Sequence, residues 1–244
     1  AGMRGPMEAI TRSYAREYGV AVQVRYGGSG TLLSTLQLSP LGDLYLAADA
    51  RYLEIAVEKG LVAESYPLAK QRPVIAVQRG NPLNVRGIDD LVGGSLRISL
   101  SDPAAAAIGK TTEALLRAAG KWDSIHAVVL ARGVFKPTVT NVANDVKLGA
   151  ADVGIVWDTT VAQYPELEGI AMANSSAFEQ RITIGLLTGS ASPEAAKHFI
   201  TYLRAPSGGQ RVFLEMGIEP IGGIPAESEL AGTRVARVDR VRAR

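Results

Sequence analysis

The sequence predicts an α/β protein with two lobes, each a mostly parallel sheet flanked by helices. Strand-like and helix-like segments alternate along the 244 residues, which is typical of this class. With 47% hydrophobic residues, the chain can also form a core in each of two lobes of about a hundred residues. Two apolar segments, 72–80 and 181–189, can carry the chain from one lobe to the other and back.

These crossing segments set the expected limits of the lobes. We expect residues 1–77 and 184–244 to form lobe I, and residues 78–183 to form lobe II. The sequence starts with a turn and the beginning of a helix rather than with a strand. We therefore also expect an N-terminal strand of lobe I to precede Ala1.

In the first 60 residues we predict three helices and two strands. Pro6 suits the first turn of a helix, and apolar residues then recur at helical spacing as far as Gly19. Alternating apolar residues predict a strand before a glycine-rich turn, and Asp49 is placed to cap the third helix. In chain order we predict a helix at 6–18, a strand at 22–26, a helix at 32–36, a strand at 43–49 and a helix at 50–60.

The alternation continues beyond residue 70. Ser192 and Pro193 are typical of the N-cap and first residue of a helix, while Gly120 and Gly149 are suited to helix ends. Residues 126–131 are predicted as a strand or as the end of a helix. We predict strands at 72–80, 96–103, 151–158 and 181–190, and helices at 110–120, 138–150 and 192–206.

The composition excludes several classes of function. The net charge of +2 gives no reason to expect a nucleic-acid partner, and much of the basic excess lies in residues 233–244, which we expect to be a solvated end. The chain has no cysteine, which excludes disulfides, thiolate metal sites and a cysteine nucleophile. His126 and His198 have no catalytic or metal-binding partner at a suitable spacing, so we expect neither enzyme activity nor a metal site.

Candidate binding residues lie where strands are followed by helices. Four such junctions, at 1–6, 26–31, 100–112 and 136–144, are rich in glycine and in small or polar residues. The N-terminus of a helix offers unpaired backbone N–H groups and about half a unit of positive charge. Several helix N-termini that converge on one cleft would bind a small oxyanion without a formal countercharge.

The second junction, YGGSGTLL, allows two interpretations. Gly27, Gly28 and Gly30 let a ligand approach the backbone closely, and the Ser29 hydroxyl is a directional donor. Alternatively, the segment is only a turn between a strand and a helix. It is not a phosphate-binding loop, because no Gly-Lys-Ser/Thr follows, and it lacks the third glycine of a dinucleotide fingerprint.

Four segments together resemble the periplasmic molybdate- and tungstate-binding components of ABC importers. They are YGGSGTLLSTL, GDLYLAADARYLEIAVEKGLV, LSDP with IGKTTEALL, and DVKLGAADVGIVWDTTVAQYPEL, and the similarity runs in order over about residues 1–220. The resemblance implies a type II periplasmic-binding-protein fold that holds molybdate or tungstate between its lobes, with no cofactor. It also implies a periplasmic or cell-surface-anchored protein that works with a membrane permease. We expect a monomer.

The resemblance also implies binding residues by position. Ser29 and Gly30 match the second junction of the family, where a serine donates its hydroxyl and backbone N–H to the anion. Ile108 and Val139 fall where the family supplies backbone N–H groups. Trp157 stands at the position that the family usually fills with a tyrosine, whose hydroxyl binds the anion.

Two departures from the family pattern bear on the identity of the ligand. The first junction commonly reads Ala-Ser-Leu, whereas here Gly2 and Met3 stand in the places of Ser and Leu, so a hydroxyl is lost. Trp157 likewise offers an indole N–H instead of a hydroxyl. Arg4 and Lys110 lie beside the first and third junctions, and we hypothesise that one or both of these cations replace the lost hydroxyls. Sulfate, phosphate or an organic carboxylate is then an alternative ligand in the same fold.

Overall fold

The computed structural model describes residues 1–93 and 95–222, which form eight strands and ten α-helices. The strands are β1 (Leu44–Ala47), β2 (Val62–Gln71), β3 (Pro73–Gln78), β4 (Ile98–Ser101), β5 (Val134–Lys136), β6 (Val153–Trp157), β7 (Leu167–Ala171) and β8 (Gln180–Leu187). The helices are α1 (Arg4–Tyr18), α2 (Ser29–Leu38), α3 (Ala50–Glu58), α4 (Ile88–Gly93), α5 (Ala107–Ala118), α6 (Trp122–Arg132), α7 (Val139–Lys147), α8 (Asp158–Val161), α9 (Pro193–Arg204) and α10 (Gly209–Glu215). Over the same residues, no helix is both long and apolar enough to cross a membrane.

The strands form two sheets, and each sheet with its helices is one lobe. In lobe I, three strands lie in the order β1-β8-β2, with α3 and α9 packed against them. In lobe II, five strands lie in the order β5-β4-β6-β3-β7, and α5 and α7 pack against their central strands. The two-lobed α/β class is therefore confirmed.

The strand directions differ from the expected mostly parallel sheets. Both pairs in the three-stranded sheet are antiparallel, and among the described residues only β4 pairs in parallel, with β5 and with β6. The reason is the route of the chain between the lobes. Because β2 leaves lobe I and β8 returns to it, the two strands run in opposite directions and pair antiparallel. The same holds for β3 and β7 in lobe II.

The chain also passes between the lobes earlier than the expected limits at 77/78 and 183/184. Only Arg72 separates the end of β2 from the start of β3, and residues 172–179 connect β7 to β8. The apolar run at 72–80 was compatible with either sheet. Its pairing with β6, which starts with Pro73 opposite Trp157, assigns it to lobe II.

The apolar core consists of two clusters. The smaller one lies in lobe I under α1, α9 and α10 and contains Ile10, Tyr14, Phe199 and Phe213. The larger one extends from the five-stranded sheet of lobe II to the face of lobe I formed by α2 and α3. Apolar packing is therefore continuous across the boundary between the lobes.

Several local predictions need correction. The strand predicted at 22–26 is wrong, because residues 20–28 belong to no helix or strand and pair with neither sheet among the described residues. Of the two alternatives for residues 126–131, the end of a helix is correct, since they belong to α6, where Trp122, Ile125 and Val129 are buried at helical spacing. The ten-residue strand β2 was not predicted, because its half-exposed polar positions and Pro67 obscure the alternation. The predicted solvated end at 233–244 lies outside the described residues.

Candidate functional site

Four helices begin at one cavity between the lobes. α1 starts after Met3, α2 after Gly28, α5 after Ala106 and α7 after Thr138. The cavity has a volume of about 40 Å³. Its wall consists of residues 1–3, 27–29, 106–108 and 138–139, together with Leu46, Ala48, Gln71 and Trp157. We call this space the interlobe cavity.

The electrostatics of the interlobe cavity favour an anion. None of the side chains in its wall carries a formal charge, and the first turn of each of the four helices contains no acidic residue. Within residues 1–93 and 95–222, no acceptor pairs with the backbone N–H of Ser29, Ile108 or Val139. These three N–H groups are therefore available to a ligand, and no acidic side chain in the first turns neutralises the partial positive charge of the helix ends.

Ser29 is held by two hydrogen bonds that leave its hydroxyl hydrogen free. Its Oγ accepts from the backbone N–H of Ala48 at 3.2 Å, and its carbonyl oxygen accepts from the Tyr45 hydroxyl at 2.8 Å. Burial raises the pKa of Tyr45, so that this hydroxyl stays protonated and remains a donor. Since Ser29 Oγ already accepts one bond, it can donate its own hydrogen to a ligand.

The glycines of the second junction serve the contact between the lobes. A Cβ atom on Gly28 would lie 2.3 Å from the carbonyl oxygen of Ala105, and one on Gly30 would lie 2.7 Å from that of Ala104. Gly30 is therefore not in the wall of the interlobe cavity, contrary to its assignment as a binding residue. The loop that precedes α5 packs directly against Gly30 instead.

The first junction is equally close to lobe II. The carbonyl oxygen of Gly2 accepts from the Gln163 side chain at 2.9 Å. A Cβ atom on Gly2 would lie 3.0 Å from Val139 Cγ1 and 3.3 Å from Thr160 Oγ1. The serine that the family pattern predicts here would therefore be crowded, and the glycine is explained by packing. Met3 is buried beside it in the wall of the cavity.

The third and fourth junctions bring further predicted residues to the wall. Ile108 and Val139 are buried and stand in the first turns of α5 and α7. Trp157, at the end of β6, is only 2% exposed and also lines the cavity. Among the described residues, no acceptor pairs with its indole N–H. The structure thus brings together Gly2, Met3, Ser29, Ile108, Val139 and Trp157.

Arg4 and Lys110 are not in the wall, contrary to the hypothesis that they replace lost hydroxyls. The Arg4 guanidinium lies over the Tyr26 ring, 4.2 Å from its centroid, and pairs with Glu8 at 3.5 Å. The exposed Lys110 has its Nζ 6.0 Å from the centroid of the Tyr52 ring. Both residues are exposed, and neither belongs to the wall of the cavity.

Three wall residues that were not predicted lie outside the four junctions, namely Leu46, Ala48 and Gln71. Leu46 and Ala48 belong to the segment that the resemblance already singled out, at the end of β1. Gln71 ends β2 and is only 3% exposed. Gln71 could have been predicted as a wall residue only if β2 had first been recognised as a strand that ends at the crossing between the lobes.

The two histidines lie away from the cavity. His198 is buried in the core of lobe I, where its Nδ1 is 2.7 Å from the Tyr14 hydroxyl. His126 packs between the rings of Trp122 and Phe135. In the part of the chain that the structure describes, no group of three or more His, Cys, Asp or Glu side chains could hold a metal ion.

A model of the bacterial extracellular solute-binding protein family matches residues 1–219. The chain belongs to this family. The Mycobacterium tuberculosis molybdate-binding protein ModA is 26% identical to it over 201 residues, which cover 78% of this chain and 70% of ModA.

Solved structures share the fold of this solute-binding protein. The Azotobacter vinelandii periplasmic molybdate-binding protein superposes with a TM-score of 0.76 and 18% identity, over 89% of this chain and 95% of that one. The sulfate-binding protein SubI of Mycobacterium tuberculosis gives a TM-score of 0.75 and 15% identity, over 93% and 85%. The type II periplasmic-binding-protein fold is confirmed, and membership of an extracellular family implies a location outside the cytoplasm.

Proposed function

We propose that this protein binds a small tetrahedral oxyanion, molybdate or tungstate, in the interlobe cavity and delivers it to the membrane permease of an ABC importer. The observation that carries the proposal is the convergence of four helix N-termini on one cavity whose wall has no charged side chain. The names of the molybdate-binding relative and of the molybdate-binding structure support this choice of ligand.

The size of the cavity supports an inorganic anion over an organic one. A single water molecule needs about 10–15 Å³ on this measure. The interlobe cavity, at about 40 Å³, is therefore large enough for a compact ion of a few atoms. A carboxylate of the size of citrate would require the lobes to move apart.

The chemistry of the wall distinguishes between inorganic anions. A fully deprotonated anion needs only donors, which the wall supplies as backbone N–H groups, the Ser29 hydroxyl and the Trp157 indole N–H. A phosphate that retains a proton also needs an acceptor, and none of the wall residues is a carboxylate. Sulfate remains the second candidate, because it carries no such proton and because the fold also matches SubI.

Each predicted wall residue takes a definite part in this proposal. Ser29 donates its hydroxyl and its backbone N–H, and Ile108 and Val139 donate backbone N–H groups. Gly2 and Met3 supply the start of α1, and Trp157 donates its indole N–H.

Residues 72 and 172–179 form the hinge about which the lobes open. On this proposal the protein acts as a monomer and releases its ligand chemically unchanged. Both histidines lie away from the cavity, His198 beside Tyr14 and His126 beside Phe135.

Thermal unfolding with a panel of anions tests the proposal. Molybdate, tungstate, sulfate, phosphate and citrate are added separately, and the ligand raises the free energy of unfolding by about 2.7 kcal/mol at a hundredfold excess over its Kd. Isothermal titration then ranks the affinities, with molybdate and tungstate expected to bind most tightly. A melting temperature that no anion changes would contradict the proposal, and tighter binding of sulfate would replace the ligand.

A further inference from the structure

Gln71 is a buried amide in the wall of the interlobe cavity, at the point where the chain leaves lobe I. It is the last residue of β2, and β3 of lobe II begins two residues later. Its side chain is almost wholly removed from solvent. A buried carboxamide needs partners for two N–H groups and one carbonyl oxygen, so its hydrogen bonds can be counted.

The hydrogen bonds of Gln71 join the two lobes. Nε2 donates to the carbonyl oxygen of Ala48 in lobe I at 2.7 Å. Oε1 accepts from the hydroxyl of Thr159 in lobe II at 2.8 Å. These partners also determine which way the amide points, since a flipped amide would set its oxygen against the Ala48 carbonyl, and two acceptors do not pair. The nitrogen therefore lies on the side of lobe I.

One N–H group of Gln71 is left without a partner. Nε2 carries two hydrogens, and only the bond to Ala48 uses one of them among the described residues. The other hydrogen belongs to a buried side chain that lines the cavity. A buried donor without a partner costs free energy, whereas a charged acceptor in the cavity would satisfy it.

Gln71 and Ser29 form hydrogen bonds with the same residue, Ala48. The backbone N–H of Ala48 donates to Ser29 Oγ, while the carbonyl oxygen of Ala48 accepts from Gln71 Nε2. The two side chains that donate from lobe I are thus positioned by the two polar groups of one residue. Thr159 extends this set of hydrogen bonds into lobe II.

We propose that Gln71 is a ligand-binding residue, whose free Nε2–H donates to the bound oxyanion while Thr159 holds the amide in position. This inference rests on the proposed function. It adds a neutral donor from the hinge to those supplied by the four helix ends. A carboxamide suits a cavity of this kind because it offers a donor without introducing a charge that must be removed from water.

Titration of molybdate, tungstate and sulfate into four variants tests this inference. Gln71→Leu removes the donor and is expected to weaken the affinity for the bound anion at least about tenfold, the loss typical of a hydrogen bond to a charged group. Gln71→Glu replaces the donor with a carboxylate and is expected to abolish binding. Thr159→Val keeps the donor but frees the amide, so a smaller loss is expected. Gln78→Leu is the matched control, since Gln78 is exposed at the end of β3 outside the wall.

A second measurement covers the case in which Gln71→Leu does not fold. In the ¹⁵N-labelled wild-type protein, the side-chain amide signals of Gln71 are followed during the titration and assigned with the Gln71→Glu variant. One of the two Nε2 protons is expected to shift markedly on binding. Wild-type binding with an unshifted Gln71 amide would overturn the inference and leave the proposed function standing. Where Gln71→Leu folds, an unchanged affinity of that variant would do the same. A wild-type protein that binds none of the three anions would overturn both.

Discussion

Gly28 of lobe I and Ala105 of lobe II are in direct contact, with the position of a Gly28 Cβ atom only 2.3 Å from the Ala105 carbonyl oxygen. The same carbonyl accepts from the backbone N–H of Thr31 at 3.3 Å. These contacts join the glycine-rich turn to the loop before α5 at the edge of the interlobe cavity. The lobes are therefore closed against each other along this edge of the cavity.

A methyl group at position 28 should hold the lobes apart. The backbone of Gly28, at φ −68° and ψ 146°, is accessible to any residue, so Gly28→Ala should fold normally. Its Cβ would clash with Ala105 only when the lobes are closed. The variant should therefore populate the closed form, which retains the ligand, less than the wild type does. We expect the affinity for the bound anion to fall at least about tenfold. Isothermal titration measures the affinity, and small-angle scattering measures the closure.

Gly87→Ala is the control for this prediction. Gly87 has no positive φ, and nothing lies within 4 Å of the position of its Cβ atom. It should therefore bind the anion like the wild type. If Gly28→Ala binds as tightly as Gly87→Ala, the contact with Ala105 is not required for binding.

Removing the Ser29 hydroxyl should weaken binding with only a modest loss of stability. Ser29→Ala leaves the Ala48 N–H without its acceptor, which costs about 1 kcal/mol of unfolding free energy. The loss of a donor to a charged ligand should reduce the affinity about tenfold or more. Ser34→Ala, at an exposed position of the same helix, should change neither quantity. Equal affinities of the two variants in a titration would argue against a role for the hydroxyl.

Arg4 and Lys110 should be dispensable for binding. Both lie outside the cavity wall, and Arg4 is already engaged with Glu8 and Tyr26. We therefore expect Arg4→Ala and Lys110→Ala to retain the affinity of the wild type within about twofold, since an exposed charge contributes little at ordinary ionic strength. Titration of each variant at low and physiological salt checks this. A tenfold loss in either variant would mean that its cation acts on the ligand.

The sequence was sufficient for the fold class and for the presence of most helices, because both depend on local patterns. Glycines, caps and apolar spacing predict α2, α5 and α7, but α2 and α5 begin at Ser29 and Ala107 rather than at the predicted 32 and 110. The first turns of these helices line the cavity. The directions of the strands could not be predicted in this way. They follow from where the chain crosses between lobes, and an apolar run such as β3 is compatible with either sheet.

The side chains of the site were predictable only in part, for a related reason. Ser29 and Trp157 stand at ends of elements, so their positions follow from those elements. Whether Arg4 and Lys110 reach the cavity depends on which face of each helix is buried. A shift of the helix by one residue is enough to change that face. Gln71 depends on a strand whose exposed polar residues hide its pattern.

His198 should make the stability of the protein depend on pH. Burial lowers the pKa of His198 from its ordinary value of 6.5, against the opposing charge of Glu17. Its ring packs against the rings of Tyr14 and Tyr18 of α1. Burial also raises the pKa of Tyr14 to about 12, so its hydroxyl keeps its proton and pairs with His198 Nδ1 at 2.7 Å. Protonation of the ring would place a positive charge in this buried aromatic cluster.

The unfolded chain therefore binds a proton at His198 more readily than the folded protein does, and stability should be lost as the pH falls below about 6.5. Thermal unfolding between pH 8 and pH 5 measures this loss in the wild type. In His198→Phe the part of the decrease that belongs to this histidine should disappear, even though the variant starts from a lower stability because Tyr14 loses its partner. His126→Phe, which leaves the Tyr14 cluster intact, should keep the wild-type dependence. Parallel curves for the wild type and His198→Phe would show that His198 does not set the pH dependence.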